Sequence, residues 1–359
     1  MNIIEERKEK ILLKAIDDFE LDLSGLEVFT EIASGNYLYT SIASFLAGAE
    51  KTYGIVKDSI YASKEEVIND FFEITKHLDI KDKIIITSEK NEEFISRSDI
   101  ITNSGFVRPI NIEDISHMKS TTVIPLMFES WEFDSSHIDL EYCKEKEVMI
   151  IGTNEHHHLL DLFSTFPYKI CKMLFDANMS IYNDNILLVS SGEIGDLISE
   201  FFSVNNINFD RISFEFPLII QNFDLSIYDA IIIAELYFKK INILSKNGFI
   251  STKKLKKDNP LIQVIHSYGL VNKKDIYEEN ISIFPNIGGN VTGDYLSPEI
   301  TIRLNVASLK VAEIVSRYRL KGKTVEETLD IISKNNLVDI GIYKKQTGQH
   351  IKKKKLMIY

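Results

Sequence analysis

The chain has 359 residues, 44% hydrophobic and 26% charged, with a formal net charge of −12 at pH 7. That length suits two domains, and the acidic balance argues against a nucleic-acid role, because phosphate backbones need a concentrated positive field. No apolar run approaches the ~20 residues that cross a bilayer, and the charged start "MNIIEERKEK" is no secretory signal.

A cytoplasmic protein is therefore expected, with Cys143 and Cys171 as reduced, packed thiols rather than a disulfide framework. The basic cluster "HIKKKKLMIY" at the C-terminus reads as a solvated tail.

In chain order, an amphipathic helix over residues 4–20 comes first. "LEVFTEIAS" then reads as a strand, and "YTSIASFLAGAE" has helical spacing ending on Gly48. "KTYGIVKDS" is a second strand, ending at Asp58. Ser63 followed three positions later by Glu66 is a capping-box signature for the next helix. "KIIITS", "SDIITNSG", "TTVIPLM" and "EVMIIGTN" follow as strands, with "NIEDISHMK" a short helix between them. "FSTFPYKICKMLFDANMSIYND" reads as a connecting helix. The second half repeats the alternation with "NILLVS", "DLISEFFSV", "INFDRISF", "YDAIIIAEL", "STKKLKK", "PLIQVIHS" and "ISIFPN". A long helix over 299–320 and a charged helix from Thr324 close the chain.

Continuous apolar strands alternating with amphipathic helices predict an α/β protein with parallel sheets covered on both faces. Ligands in such folds bind beyond the carboxyl ends of the strands, at helix N-termini. The turn "SSGEIG" carries two of the three glycines of the dinucleotide fingerprint, Gly192 and Gly195, with Ser190 in the first place. Glu193 and Ile194 lie between them. An acid for a ribose is expected about 20 residues on, where Glu215 is in range.

In the first half, the turn around Gly35 with Asp58 at the next strand end also suits an S-adenosyl group. "TNSGFVRPI" offers Asn103 and Arg108 for a carboxylate or phosphate, since the arginine fork pairs bidentately with either. "PLMFESWEF" brings Glu129 and Trp131 to the same edge. His156, His157 and His158 are consecutive and cannot converge on one metal, so no metal site is expected. At strand ends of the second half stand Glu235 and His266, and the ordinary imidazole pKa suits proton exchange near neutrality.

The stretches "LLVSSGEIGDLISEFF", "PLIQVIHSYGLVNKKDI" and "ISIFPNIGGNVTGDYL" resemble the nucleotide-binding domain of the D-2-hydroxyacid dehydrogenases and, more distantly, the NAD domain of S-adenosylhomocysteine hydrolase. "SDIITNSGFVRPINIEDISHMKSTTVIPLM" resembles the nucleotide-domain pattern of the same proteins. The resemblance implies two Rossmann-like parallel-sheet domains with an interdomain cleft. It also implies a substrate-binding arginine and a catalytic histidine at the places held here by His266 and Asn286. Those two departures fall on catalytic positions, and an asparagine cannot shuttle a proton at neutral pH.

The expected organisation is a substrate-binding Rossmann-like domain over residues 1–160, a dinucleotide-binding-like domain over 161–320 and a C-terminal helix and basic tail over 321–359. The expected function is an NAD- or NADP-dependent oxidoreductase of a small carboxylate-bearing metabolite. His266, Arg108 and Glu235 are its catalytic candidates. Ser190, Gly192, Glu193, Ile194, Gly195, Glu215 and Asn286 are its cofactor candidates, and Asn103, Glu129 and Trp131 its substrate candidates. The apolar surface of the long helix predicts a homodimer. The alternatives are an S-adenosyl-dependent transferase using the first half, or a non-catalytic binding or scaffold protein.

Overall fold

A computed structural model describes residues 3–215, 224–286 and 290–344; the basic C-terminal cluster lies outside them. Apolar runs become strands β1 (Glu27–Glu31), β2 (Lys51–Ile55), β3 (Ile84–Thr87), β4 (Ile100–Ile101), β5 (Val123–Pro125) and β6 (Met149–Thr153). The second half supplies β7 (Ile186–Val189), β8 (Phe209–Ile212), β9 (Ala230–Ala234), β10 (Asn242–Ser245) and β11 (Ile250–Ser251). Then come β12 (Gln263–Tyr268), β13 (Leu270–Val271), β14 (Ser282–Phe284) and β15 (Val338–Asp339). The Ser63–Glu66 pair forms the reciprocal capping box that its spacing predicts, opening the helix Lys64–Thr75. A second box, Thr324 with Glu327, opens the helix Val325–Ile332.

The chain divides into two units. The first is built from the chain up to Leu160 and again from Pro298 onward; the second runs from Asp161 to Ser297. In the first, the sheet order is β15-β6-β5-β4-β1-β2-β3. Its six leading strands are parallel and β15 is antiparallel to β6. This is the doubly wound order, reversing direction between β1 and β4. In the second unit the parallel sheet runs β14-β12-β9-β7-β8, and the reversal falls between β7 and β9. Ile186, Leu187, Leu188 and Val189 of β7 are fully buried, as a strand covered on both faces must be.

A small parallel sheet, β11-β10-β13, has no counterpart in the sequence reading. Its strands are two to four residues long, too short to carry a period.

The helix Pro298–Leu320 corrects two expectations. The sequence pattern places it with the second domain, but it packs on β5, β6 and the helices Ile3–Asp18 and Tyr39–Leu46 of the first unit. Ile302, Val306, Leu309, Val311 and Val315 are fully buried along it, each contributing about 1.5–3 kcal/mol by leaving water. Arg303 fastens it to the Leu159 carbonyl and the Asp18 carboxylate, and Arg319 to the Ser120 carbonyl. Its apolar face is covered within its own unit, so the ground for expecting a dimer through that face is gone.

Candidate functional site

In the second unit the reversal point lies where β7 gives way, through Ser190 and Ser191, to the helix Gly192–Val204. Gly192 has φ +59°, a left-handed conformation that favours glycine. Its exposed face is covered: a Cβ there would stand 2.8 Å from the Tyr237 ring. Gly195 serves close packing, since a Cβ would meet the Arg211 guanidinium at 2.2 Å and the Ser190 carbonyl at 2.6 Å. Ser190 fits the first slot without left-handed strain, and its hydroxyl donates to the Ala234 carbonyl at 2.7 Å.

The amide of Gly192 donates to Glu215 Oε2 at 3.0 Å. The acid at the end of the neighbouring strand region therefore already sits at the helix N-terminus, where an anion is favoured. Arg211 closes the other side, donating to the carbonyls of Ser190 and Gly192 and to Asp196. Of the remaining cofactor candidates, Glu193 is exposed on the first helical turn, while Ile194 is wholly buried in the unit's core. Asn286 accepts from the Tyr277 hydroxyl at 2.5 Å and follows β14, separated from β7 by β12 and β9. The Ile194 backbone still belongs to the first turn of that helix, whereas Asn286 lies away from the turn.

Glu235, expected as a proton carrier, is 1% exposed and fully occupied. Its Oε2 accepts from Ser191 Oγ at 2.6 Å, and its Oε1 accepts from the amides of Tyr237 and Phe238 at 3.0 and 3.1 Å. It locks the β7 and β9 loops together, a structural carboxylate.

His266 on β12 is 3% exposed, with Nε2 2.9 Å from the Gly269 carbonyl oxygen. A carbonyl only accepts, so Nε2 carries the proton and Nδ1 of the neutral ring keeps its lone pair. Burial pushes the imidazole pKa below its ordinary value and the Lys273 ammonium pushes the same way, against the Gly269 bond. A pocket of about 490 Å³ opens beside it, lined also by Asn242, Asn290 and Lys273.

Sequence reasoning missed Lys169. Its ammonium is buried, donates to the Val291 carbonyl at 2.9 Å and lies 4.4 and 4.2 Å from the ring centres of Phe166 and Tyr268. Burial pushes its pKa down to about 7. A lone Lys inside an apolar helical pattern is the one signal that could have found it.

In the first unit the reversal point lies at the tips of β1 and β4. Thr30 and Thr102 face each other there, hydroxyl to hydroxyl at 2.8 Å. The next pair in that register is Glu31 and Asn103. Asn103 is 4% exposed, and both its side-chain polar atoms are buried without a hydrogen-bond partner among the described residues. Glu31 is equally buried and accepts from the Phe106 amide at 2.9 Å. Burial raises its carboxyl pKa, opposed by that amide and by the Arg108 charge. The sequence reading does not single out Glu31, because an acid at the end of an apolar strand reads equally well as a solvated tip.

Arg108 lies 3.3 Å from His137 Nδ1. Glu129 and Trp131 are joined to each other, the indole N–H donating to Glu129 Oε2 at 2.8 Å. They line a separate pocket of about 300 Å³ with Asp339 and Asn154. Burial raises the Glu129 pKa, and it raises that of Glu155 well above the ordinary carboxyl value, with the charges of Glu132 and Glu129 adding to it. Asp58, the acid of the S-adenosyl alternative, instead caps the following helix through the Lys64 amide at 2.7 Å. Of the three consecutive histidines, His157 is buried and His156 and His158 are exposed, with the ring centres of His157 and His158 4.4 Å apart. Among the described residues no helix is long and apolar enough to cross a membrane.

No protein-family model matches the chain, and no curated protein matches it in sequence. Solved structures do match in fold. Dipicolinate synthase from Bacillus subtilis is 8% identical, the match covering 84% of this chain and 99% of that one, with a TM-score of 0.51. Its counterpart, dipicolinate synthase from Bacillus halodurans, is 10% identical, the match covering 82% of this chain and 98% of that one, with a TM-score of 0.50. At such identities the likeness is one of fold alone, in a chain built of two Rossmann-like α/β units.

Proposed function

We propose that the chain is an NAD-dependent oxidoreductase acting on a small carboxylate-bearing metabolite. The observation that carries this reading is the Glu215 carboxylate on the Gly192 amide. An anionic oxygen already rests on this turn, and the same residue supplies the acid that holds a ribose in dinucleotide sites. In the bound state the Gly192 amide and helix N-terminus would receive the pyrophosphate, and Glu215 would turn to the ribose hydroxyls. Tyr237, 37% exposed, would move off Gly192. A carboxylate beside the ribose disfavours a 2′-phosphate, so the reading selects NAD over NADP.

The bound nicotinamide would supply hydride exchange. His266, whose Nδ1 has no hydrogen bond among the described residues, is the proton acceptor this reading assigns. In the first unit, Asn103 and Arg108 are the groups this reading offers to a carboxylate: one has an amide without partners among the described residues, the other a planar fork. Calorimetry of the full chain with NAD, NADP and S-adenosylmethionine tests the reading. Binding of NAD ahead of both others supports it, and binding of none of the three overturns it.

A further inference from the structure

The only Asn-Gly pair of the sequence, Asn247–Gly248, stands in the turn 246–249 that joins β10 to β11. Packing dictates the glycine. A Cβ at 248 would stand 2.8 Å from the Ser245 amide nitrogen and 3.0 Å from the Asn242 carbonyl oxygen. Both are backbone atoms of β10, which is paired on one side with β11 and on the other with β13, so neither can give way as a side chain would.

A glycine after an asparagine leaves the next main-chain nitrogen unscreened, because no Cβ stands beside it. Whether the two groups react then depends on how the asparagine side chain is held. Many in this fold are tied down. Asn91, Asn111 and Asn272 accept main-chain amides at helix starts, and Asn154, Asn185 and Asn259 donate to main-chain carbonyls. Asn247 is exposed, and its side chain makes no hydrogen bond among the described residues. The Gly248 amide donates to the Ser245 carbonyl across 3.3 Å, a longer contact than the usual ~3.0 Å.

We infer that Asn247 is a self-modification site at which the folded chain deamidates. The Gly248 nitrogen, losing its proton to hydroxide, attacks the side-chain carbonyl carbon of Asn247. The new N–C bond closes a five-membered succinimide, and the former amide nitrogen leaves as ammonia, taking a proton from water. A second water opens the ring at either carbonyl, giving aspartate or isoaspartate. The net change is one water consumed and one ammonia released, and nothing is oxidised or reduced.

Either product sets a carboxylate beside Lys246, whose ammonium already pairs with Glu278. Isoaspartate also adds a methylene to the main chain between β10 and β11. The turn closes through the Phe249 amide on the Asn242 carbonyl at 2.9 Å, and Asn242 lines the pocket beside His266, so the change falls on the wall of that pocket. The inference needs nothing from the dinucleotide reading.

The test incubates the folded full chain, without nucleotide, at neutral and at mildly alkaline pH, followed by tryptic digestion and mass spectrometry. The peptide 247–253, released after Lys246 and Lys253, should show the amide-to-acid mass gain ahead of every other asparagine. It should convert faster at the higher pH and split into aspartate and isoaspartate forms on chromatography. Asn247→Gln should stay unconverted at this position, because the same attack would have to close a six-membered ring. That variant should also keep the single anion-exchange peak that the parent chain loses with time. An intact 247–253 peptide, or an asparagine elsewhere converting first, would overturn the inference.

Discussion

The Gly192 amide points at the Glu215 carboxylate across 3.0 Å, joining the first turn of a helix to the end of the neighbouring strand region. One acid thus holds the place that a phosphate would take and the place from which a ribose would be read. Glu215→Gln should cost NAD roughly tenfold in affinity and strengthen NADP, because the carboxylate serves the ribose hydroxyls and repels a 2′-phosphate. Calorimetry with both nucleotides gives the ratio. A ratio identical to that of the unmodified protein would remove Glu215 from the site.

Gly192 is the position where backbone and space both forbid a side chain. A Cβ would carry the cost of φ +59° and also press on the Tyr237 ring at 2.8 Å. Gly192→Val should destabilise the protein by about 1–3 kcal/mol in denaturant unfolding and abolish stabilisation by NAD. Adding Tyr237→Ala should recover only the part due to the ring. Full recovery would show that the left-handed conformation is not needed.

The two βα turns are legible in the sequence because their signals are local. Ser63 and Glu66 cap a helix at the spacing that backbone geometry demands. The apolar run at 186–189 is buried on both faces as its composition implies. The helix Pro298–Leu320 is equally plain as a helix, but which unit it joins depends on contacts nearly 300 residues away, such as Arg303 with Asp18. Glu235 misleads for the same reason. An acid at a strand tip reads as catalytic until Ser191 and two amides are seen to occupy it. Lys273 is invisible in the sequence because the absence of a hydrogen-bond partner for its Nζ among the described residues is a property of the folded chain.

Lys169 makes stability depend on pH in a definite direction. Its folded-state pKa is near 7 and its ordinary value is 10.5. Between those values the unfolded chain binds the proton and the folded chain resists it, so this group's contribution favours folding as pH rises from 7 towards 10. The faces of Phe166 and Tyr268 and the Val291 carbonyl favour the ammonium and soften the slope. Lys169→Met, of similar length, should flatten this part of the stability curve. Urea melts at pH 7.0 and 9.0 give the test. An unchanged difference between the two would mean that the ammonium stays charged throughout.

Asn103 separates a binding role from a packing role. A buried amide that packs the fold normally has partners, and removing it destabilises by leaving them unpaired. Here both side-chain atoms are without partners among the described residues at 4% exposure, so the folded chain holds a desolvated polar group that gives nothing back to stability. Asn103→Ala should therefore leave unfolding free energy within about 1 kcal/mol of the original, or raise it. The same substitution should weaken the small carboxylate-bearing substrate of the oxidoreductase reading by at least about tenfold, seen as a raised KM with the nucleotide affinity unchanged. Stability and binding then move independently, which a packing role does not allow. A loss of about 2 kcal/mol or more in a denaturant melt would show that the amide holds the β1 and β4 tips together, and would withdraw Asn103 from the substrate site.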